Sequence, residues 1–245
     1  MRAVILAGGK GVRLYPITQV IPKPLVPLGG MPILEIVIRQ LKNQGIENIT
    51  LAVGYMANLI RAYFGDGSTY GVKIDYSCED SPLGTAGPLA QIEGLHETFL
   101  MMNADVLTDL NFPELVEFHR QQGGIATVGA YERQVKIDLG VIIKDGHYRI
   151  ADYIEKPSSH HLVSIGIYVF EPHVLGYIQK NSHMDFPDLI KLLVQDGQMV
   201  NYFPFSGYWL DIGRHEDYAK ASEDFDSIKG MLGLSQEKDL TAWPA

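Results

Sequence analysis

Ala3 to Leu6 is a short unbroken apolar run that empties at once into Gly8-Gly9-Lys10-Gly11, a turn with almost no side chains. The run reads as a buried strand, and the turn lets backbone N–H groups touch a ligand directly. Glycine lacks a Cβ and tolerates positive φ, so consecutive amides can form a concave nest for phosphate oxygens or the edge of a base. Arg13 and Lys23 supply charge, and Pro22 and Pro24 bracket Lys23, stiffening the backbone that carries its ammonium. The ordered string is built for a polyphosphate. Taken singly, its parts would be a flexible turn and ordinary surface charges.

Two familiar glycine motifs do not account for it. A dinucleotide G-x-G-x-x-G laid on Gly9-Lys10-Gly11 puts its third glycine at Leu14, with Pro16 where the helix should run. A P-loop needs Ser or Thr after Gly-Lys, and Lys10 is followed by Gly11.

Strand-like and helix-like stretches alternate behind this opening, the pattern of a mainly parallel sheet flanked by helices in an α/β, Rossmann-like fold. Helices are expected at Pro32 to Gln44, Tyr55 to Phe64, Thr85 to Ile92 and Pro113 to Gln122. In the first, Ile33, Ile36, Val37 and Leu41 fall on about one face. Strands are expected at Asn48 to Val53, Val72 to Cys78 and Phe99 to Met102. Asn103-Ala104-Asp105 then sits at a strand's carboxyl end, where ligand-handling residues of open α/β sheets gather. The second half is strand-rich at Ile125 to Tyr131, Gly140 to Lys144, Tyr148 to Glu155 and Ser164 to Phe170. Helices recur at Val174 to Gln179, Phe186 to Asp196 and Glu216 to Phe225. His160-His161, in a Ser-rich stretch without further His or Cys at zinc spacing, reads as loop.

This organisation predicts one domain over 1–225, in two parts at about 1–122 and about 123–225. A tail follows at 226–245. It is either a subunit contact of a homo-oligomer, the reading its apolar Met231, Leu232, Leu234 and Trp243 favour, or a frayed end. The lone cysteine, Cys78, is expected to pack. A net charge of −9 argues against a nucleic-acid backbone as partner but not against small anions focused in one cleft. No apolar stretch approaches the roughly 20 residues of a membrane helix, and a core strand stands where a secretory leader would, so a cytoplasmic protein without membrane partners is expected.

The segment Leu6 to Pro27 resembles, without a gap, the opening L-A-G-G-x-G-x-R-L-x-P-x-T then P-K-P-L-x-P of the sugar-1-phosphate nucleotidylyltransferases. The resemblance continues through Pro82-Leu-Gly-Thr-Ala-Gly-Pro88, Asn103-Ala-Asp-Val106, Glu155-Lys-Pro157 and Trp209-Leu-Asp-Ile-Gly213. These forms look most like mannose-1-phosphate and heptose-1-phosphate guanylyltransferases. The resemblance implies the nucleotide-diphospho-sugar transferase fold and an Mg²⁺-dependent enzyme whose partners are a nucleoside triphosphate and a sugar-1-phosphate. Many relatives add a β-helix domain of hexapeptide repeats, which this chain is too short to hold.

By resemblance, Leu6, Ala7, Gly8, Gly9, Gly11, Glu79, Gly84 and Thr85 line the nucleotide side. Arg13 grips the departing phosphates, and Lys23 lies against the α-phosphate. Asp105 and Asp211 hold the metal; their meeting is implied by the family alone, and a helix cap is the plain reading of Asp211. Asp109 matches no family position and reads as a cap. Lys156 is implied for the sugar's phosphate, Glu155 for its hydroxyls, and Gly140 for close backbone approach. Family members usually place Asn, a small residue and Gly before the strand at 167–170, where this chain has Ser164-Ile165-Gly166. A serine at 164 is shorter and offers a hydroxyl instead of an amide, so either the sugar differs or that contact is not made from this position.

Glu79 points to the base. Ionised Glu only accepts, and guanine offers two adjacent donors, so GTP is favoured. UTP or dTTP is the alternative, because some uridylyl relatives also carry Glu here. A non-catalytic nucleotide-sugar-binding regulator is a reading of another class, but it should have lost the charged set that is present here. A cytidylyl- or molybdenum-cofactor-type transferase would lack the Glu-Lys-Pro and Trp-x-Asp-Ile-Gly segments.

Overall fold

A computed structural model of the chain describes residues 1–234. Thirteen strands run in chain order: β1 (Arg2–Ala7), β2 (Pro27–Leu28), β3 (Met31–Pro32), β4 (Asn48–Val53), β5 (Lys73–Cys78), β6 (Phe99–Asn103), β7 (Val106–Thr108), β8 (Ala126–Lys136), β9 (Val141–Lys144), β10 (Ile150–Ile154), β11 (Ser158–Phe170), β12 (Val200–Phe205) and β13 (Trp209–Asp211). Five α-helices accompany them: α1 (Ile33–Asn43), α2 (Ala57–Phe64), α3 (Phe112–Gln122), α4 (Phe186–Gln195) and α5 (His215–Ile228).

Seven strands form the central sheet in the order β12-β8-β11-β6-β1-β4-β5. β1 pairs in parallel with β4 on one side and β6 on the other, and β11 enters antiparallel beside β6. From β1 the chain builds outward to β4 and β5, then crosses back to β6, so strand order reverses at β1. Ligands of open α/β sheets bind in the crevice beyond the strand ends at such a reversal, and Gly8 to Gly11 lie there.

Both sheet faces are covered, which is why β1 lacks polar alternation. Ala3, Ile5 and Ala7 pack against α1, α2 and α3, while Val4 faces the opposite cluster with Leu89, Phe186, Leu189 and Leu193. A third cluster joins Ile33 and Ile36 of α1 to Ile212 and to Ala221, Phe225 and Ile228 of α5. The expected single apolar face of α1 is therefore divided. Ile33 and Ile36 meet α5, whereas Val37 and Leu41 meet the sheet.

Several expectations give way to tertiary context. The helix expected at 85–92 is only a 3₁₀ segment, Gly87–Gln91. Its backbone is pinned from outside, with Ala86 N and Gly87 N donating to Met184 O at 2.9 and 3.1 Å. The helix expected at 174–179 is likewise a 3₁₀ segment, Pro172–Tyr177, with the poor helix former Gly176 within it. His160 and His161 lie within β11, opposite Gln134 and Arg133, because a long antiparallel partner supplies the hydrogen bonds that a polar run does not advertise. Cys78 is exposed rather than packed, with Arg61 Nη2 3.3 Å from its Sγ.

α5 continues past residue 225 to Ile228, and Leu232 is buried in its cluster with Leu234 packed against it. Of the tail's apolar residues, Met231 is exposed and Trp243 lies outside the described residues. Leu232→Ala is expected to lower unfolding free energy by about 2–3 kcal/mol in urea denaturation, the cost of a buried cavity. A change below about 0.5 kcal/mol would mean that residue 232 is not part of the core.

Candidate active site

A cleft of ≈ 810 Å³ opens at the carboxyl end of β1. Its walls include Leu6, Ala7, Gly8, Gly9, Gly11, Arg13 and Lys23 from the opening segment, with Glu79, Gly84, Thr85, Asn103 and Asp105 from three later ones. Every residue expected on the nucleotide side therefore meets in one concavity. Lys10, Tyr55, Asp80, Ser81, Gln91 and His183 also line it and were not read from the sequence. Gln91 and His183 stand in segments without a motif, and only the tertiary fold turns them inward.

The Gly-rich turn is shaped by its neighbours. The carboxylate of Glu79 fills the space where side chains at residues 8 and 54 would stand, Oε1 lying 2.7 Å from an ideal Cβ at either glycine. Its Oε2 accepts from Leu83 N at 3.1 Å, which holds the acid at the cleft edge. Gly84, at φ +78, passes so close to Met184 O that a Cβ would sit 2.5 Å from it. Thr85 donates its amide to Asp185 Oδ1 at 2.9 Å, and its hydroxyl lies 3.2 Å from the same oxygen while accepting from Phe186 N at 2.9 Å. Those groups brace the loop against the start of α4, so Thr85 contributes through loop position.

The charged groups converge across long sequence separations. β7 continues from Asp105 and pairs antiparallel with β13, placing Asp211 opposite Val106, while Ile212 N donates to Asp105 O at 3.0 Å. Gln40 Nε2 of α1 reaches Thr108 O at 2.6 Å and fixes β7 from behind. Lys23 Nζ forms an ion pair with Asp105 Oδ2, both side chains being largely buried. The guanidinium of Arg13 lies over Gly213, where a Cβ would come within 3.3 Å of it. Burial, and next the charge of Asp105, push the Asp211 carboxyl up to about 6, against opposing pulls from Lys23 and Arg13. Asp211 caps no helix: the α5 cap position is Arg214, whose N–H donates to Asp217 Oδ2 at 2.9 Å. Asp109 is not the cap expected of it, since Asn111 caps α3; its Oδ1 instead accepts from Tyr208 N at 2.7 Å, from a segment distant in the chain.

A divalent cation fits this pair. Two carboxylates stand together, the Asp211 group disfavoured as an anion by burial and next by the charge of Asp105, and phosphate oxygens of a ligand would complete a hard coordination shell. Among the described residues no group of three or more His, Cys, Asp or Glu is placed to hold a metal by itself.

The residues expected on the sugar side are not in this cleft. Glu155 and Lys156 are exposed between β10 and β11, Lys156 at a left-handed φ of 44. Gly140 has its close approach to a side chain of this chain: a Cβ there would overlap the hydroxyl of Tyr153. Ser164 Oγ donates to Tyr168 OH at 2.9 Å beside a β-bulge between Ser164 and Tyr168, and Gly166, at φ +74, lies against the Asn103 side chain. Phe203, Phe205 and Trp209 pack on the core, and Trp209 Nε1 donates to Ile165 O at 3.0 Å. Met101 and Met102 are buried core residues.

Fold and cleft together define an α/β protein with a glycine-rich cleft at its strand reversal. The sequence profile of the nucleotidyl transferase family matches residues 2–227. A UTP–glucose-1-phosphate uridylyltransferase of Synechocystis is 35% identical over 95% of this chain and 63% of its own length. A mannose-1-phosphate guanylyltransferase of Mycobacterium tuberculosis is 32% identical over 94% of this chain and 65% of its own. The chain thus spans a little under two thirds of the length of these relatives. Among solved structures, a putative glucose-1-phosphate thymidylyltransferase from Bacillus anthracis in complex with a sucrose superposes with a TM-score of 0.75, at 26% identity over 98% of this chain and 97% of that one. HddC from Yersinia pseudotuberculosis complexed with GMP-PN gives 0.70, at 26% identity over 91% and 99%. The chain belongs to the nucleotidyl transferase family, in its sugar-1-phosphate branch.

The raised Asp211 carboxyl makes a testable statement about stability. The folded state holds this proton more tightly than the unfolded chain, so its contribution is full below about pH 4 and is lost as pH rises through about 6. Asp211→Asn removes that loss. In metal-free buffer at pH 7.5 the variant should be more stable by about 1–2 kcal/mol after allowance for solvent screening, with Tm higher by a few degrees and the gain fading towards pH 4. A lower Tm at pH 7.5 would show instead that the carboxylate contributes net stability.

Proposed function

We propose that this chain condenses a nucleoside triphosphate with a sugar-1-phosphate to give a nucleotide-sugar and pyrophosphate. GTP and mannose- or manno-heptose-1-phosphate are the favoured substrates. The reading rests on one observation: Arg13 and Lys23 of the glycine-rich opening meet Asp105 and Asp211 at the point where strand order reverses.

In this reaction a sugar-phosphate oxygen attacks the α-phosphorus and pyrophosphate leaves in line, without a covalent enzyme intermediate. The protein's task is to hold two anions together and neutralise the transferring and departing oxygens. The amides of Gly8 to Gly11 seat phosphates at no steric cost, and the planar fork of Arg13 suits paired oxygens of the leaving group. Lys23, held ready by Asp105, turns its ammonium to the α-phosphate. Asp105 and Asp211 would hold Mg²⁺, which supplies charge neutralisation on the phosphate oxygens. Lys156 and Glu155 bind the sugar's phosphate and hydroxyls, with Gly140 and Ser164 beside them. On this reading, residues 1–122 form the nucleotide half of a cytoplasmic enzyme, and 123–225 the sugar half.

Glu79 carries the base preference. Each carboxylate oxygen offers two lone pairs, so Oε2 can keep the Leu83 amide and still join Oε1 in accepting the N1–H and N2 amino protons of guanine. The guanylyltransferase relative and the GMP-PN complex of HddC accord with GTP. The 35% identical uridylyltransferase favours UTP as the second reading. A purely regulatory nucleotide-sugar binder is disfavoured, since every charged group of the site is retained.

A pyrophosphate-release screen of triphosphates against sugar-1-phosphates tests the whole reading. Turnover is expected to be highest with GTP, and a strong preference for UTP or dTTP would move the assignment to the uridylyl or thymidylyl class. Asp105→Asn and Asp211→Asn should each lower kcat by about 10²-fold or more with the fold intact. Full activity in either variant would remove that residue from the metal site. Lys156→Ala should raise KM for the sugar-phosphate while leaving that for the triphosphate unchanged; the opposite pattern would reverse the two halves of the cleft.

A further inference from the structure

The segment that carries Arg13 is thinly attached to the rest of the fold. After Gly11 the chain runs through 3₁₀ turns at Val12–Leu14 and Ile17–Gln19, whose backbone hydrogen bonds reach only three residues back, as from Leu14 N to Gly11 O at 2.9 Å. Leu14 and Thr18 are buried, whereas Val12, Tyr15 and Val20 are exposed. Among the described residues the Arg13 side chain makes no hydrogen bond or ion pair. Its direction therefore follows from where its backbone is held and from its packing over Gly213.

The first turn of α5 supplies that hold. A carbonyl can only accept, so His215 Nε2 is the donor in its 2.7 Å hydrogen bond to Tyr15 O, made across 200 residues. One turn further on, Tyr218 OH donates to Pro27 O at 2.7 Å. Residues three apart share a helix face. One face of α5 thus grips both ends of a strap, Tyr15 to Pro27, with Lys23 inside it and Arg13 just before it. Among the described residues, one other hydrogen bond ties residues 12–20 to a distant segment, from Tyr55 OH to Thr18 O, and it is long at 3.4 Å. α5 begins just past Asp211 and Gly213, so the grip sets the cations of the opening segment against the acids of the cleft.

We propose that His215 is a positioning residue for the phosphate grip: its bond to Tyr15 O fixes the backbone from which Arg13 reaches the departing pyrophosphate. His215 does not line the cleft and acts through Arg13. Transfer between two held anions depends on placement, and a shift of about 1 Å can cost on the order of 10²-fold in rate. This role rests on the reading of Arg13 as the group that holds pyrophosphate.

Pyrophosphorolysis, the reverse reaction, tests it on the nucleotide-sugar that the forward screen identifies, because pyrophosphate is the substrate Arg13 would hold. His215→Phe keeps a ring and removes the donor. KM for pyrophosphate should rise by about three- to tenfold, the worth of one hydrogen bond, while KM for the nucleotide-sugar stays within about twofold. His215→Gln returns an N–H near the place of Nε2 and should bring KM for pyrophosphate back to within about twofold of the unsubstituted chain. Arg13→Ala should raise the same KM, and adding His215→Phe to it should change it by less than about twofold more. The His215 side chain is exposed, so these variants should keep the fold, with Tm within a few degrees. His215→Ala replaces His215→Phe should the larger ring disturb the start of α5. An unchanged KM for pyrophosphate in Arg13→Ala would overturn the reading of Arg13, and this role with it. If Arg13→Ala raises that KM but His215→Phe does not, if His215→Gln fails to restore it, or if the two losses multiply in full, the role of His215 alone is overturned.

Discussion

Parallel pairing of β1 between β4 and β6 is the constraint on which the rest depends. A strand flanked on both sides by parallel neighbours has no open edge. Its side chains must also be apolar on both faces, because helices cover each one. Ala3, Val4, Ile5 and Ala7 meet that demand and divide between the two main core clusters. The same pairing makes the chain's next residues emerge at the reversal of strand order, where the crevice between diverging connections is unavoidable. Glycines at that point leave the crevice lined by backbone, and one of them, Gly8, also makes room for the Glu79 carboxylate.

Around that crevice the electrostatics are held by structure formed elsewhere. Asp105 ends the approach from β6, Asp211 arrives on β13, and the short β7·β13 ladder joins them. Lys23 answers one carboxylate, and the second remains under pressure from burial and from the first. Arg13 can lie across the β13 exit because residue 213 has no side chain. The site therefore holds two carboxylates and two cations in a largely buried setting, where a hard cation would favour the ionised acids.

The half of the molecule beyond β11's bulge follows another logic. Its long strands leave the main sheet and the covering helices, and its apolar side chains are left facing outward. Gly140 illustrates the difference between motif and context. Its missing Cβ accommodates the Tyr153 ring within the ribbon, a packing reason that the Asp-Leu-Gly-Val string does not disclose. Glu155 and Lys156 sit on this same arm, so whatever orders the arm also places them.

The sequence by itself determined the α/β class and the main-sheet strands of residues 1–122 to within a residue or two, because those features rest on local chemistry, apolar runs and glycine turns, while the set from Leu6 to Thr85 that lines the cleft came from the motif resemblance. It also carried the motif resemblance that named Asp105 and Asp211. Only the tertiary structure decided that these two acids meet, that α1 serves two cores, that the polar Ser-His run is strand, that 85–92 and 174–179 are 3₁₀ segments, and that Leu232 is core. All but the 174–179 segment depend on a partner distant in the chain. A hydrogen bond or a packing contact made across a hundred residues leaves no periodicity in either segment that makes it.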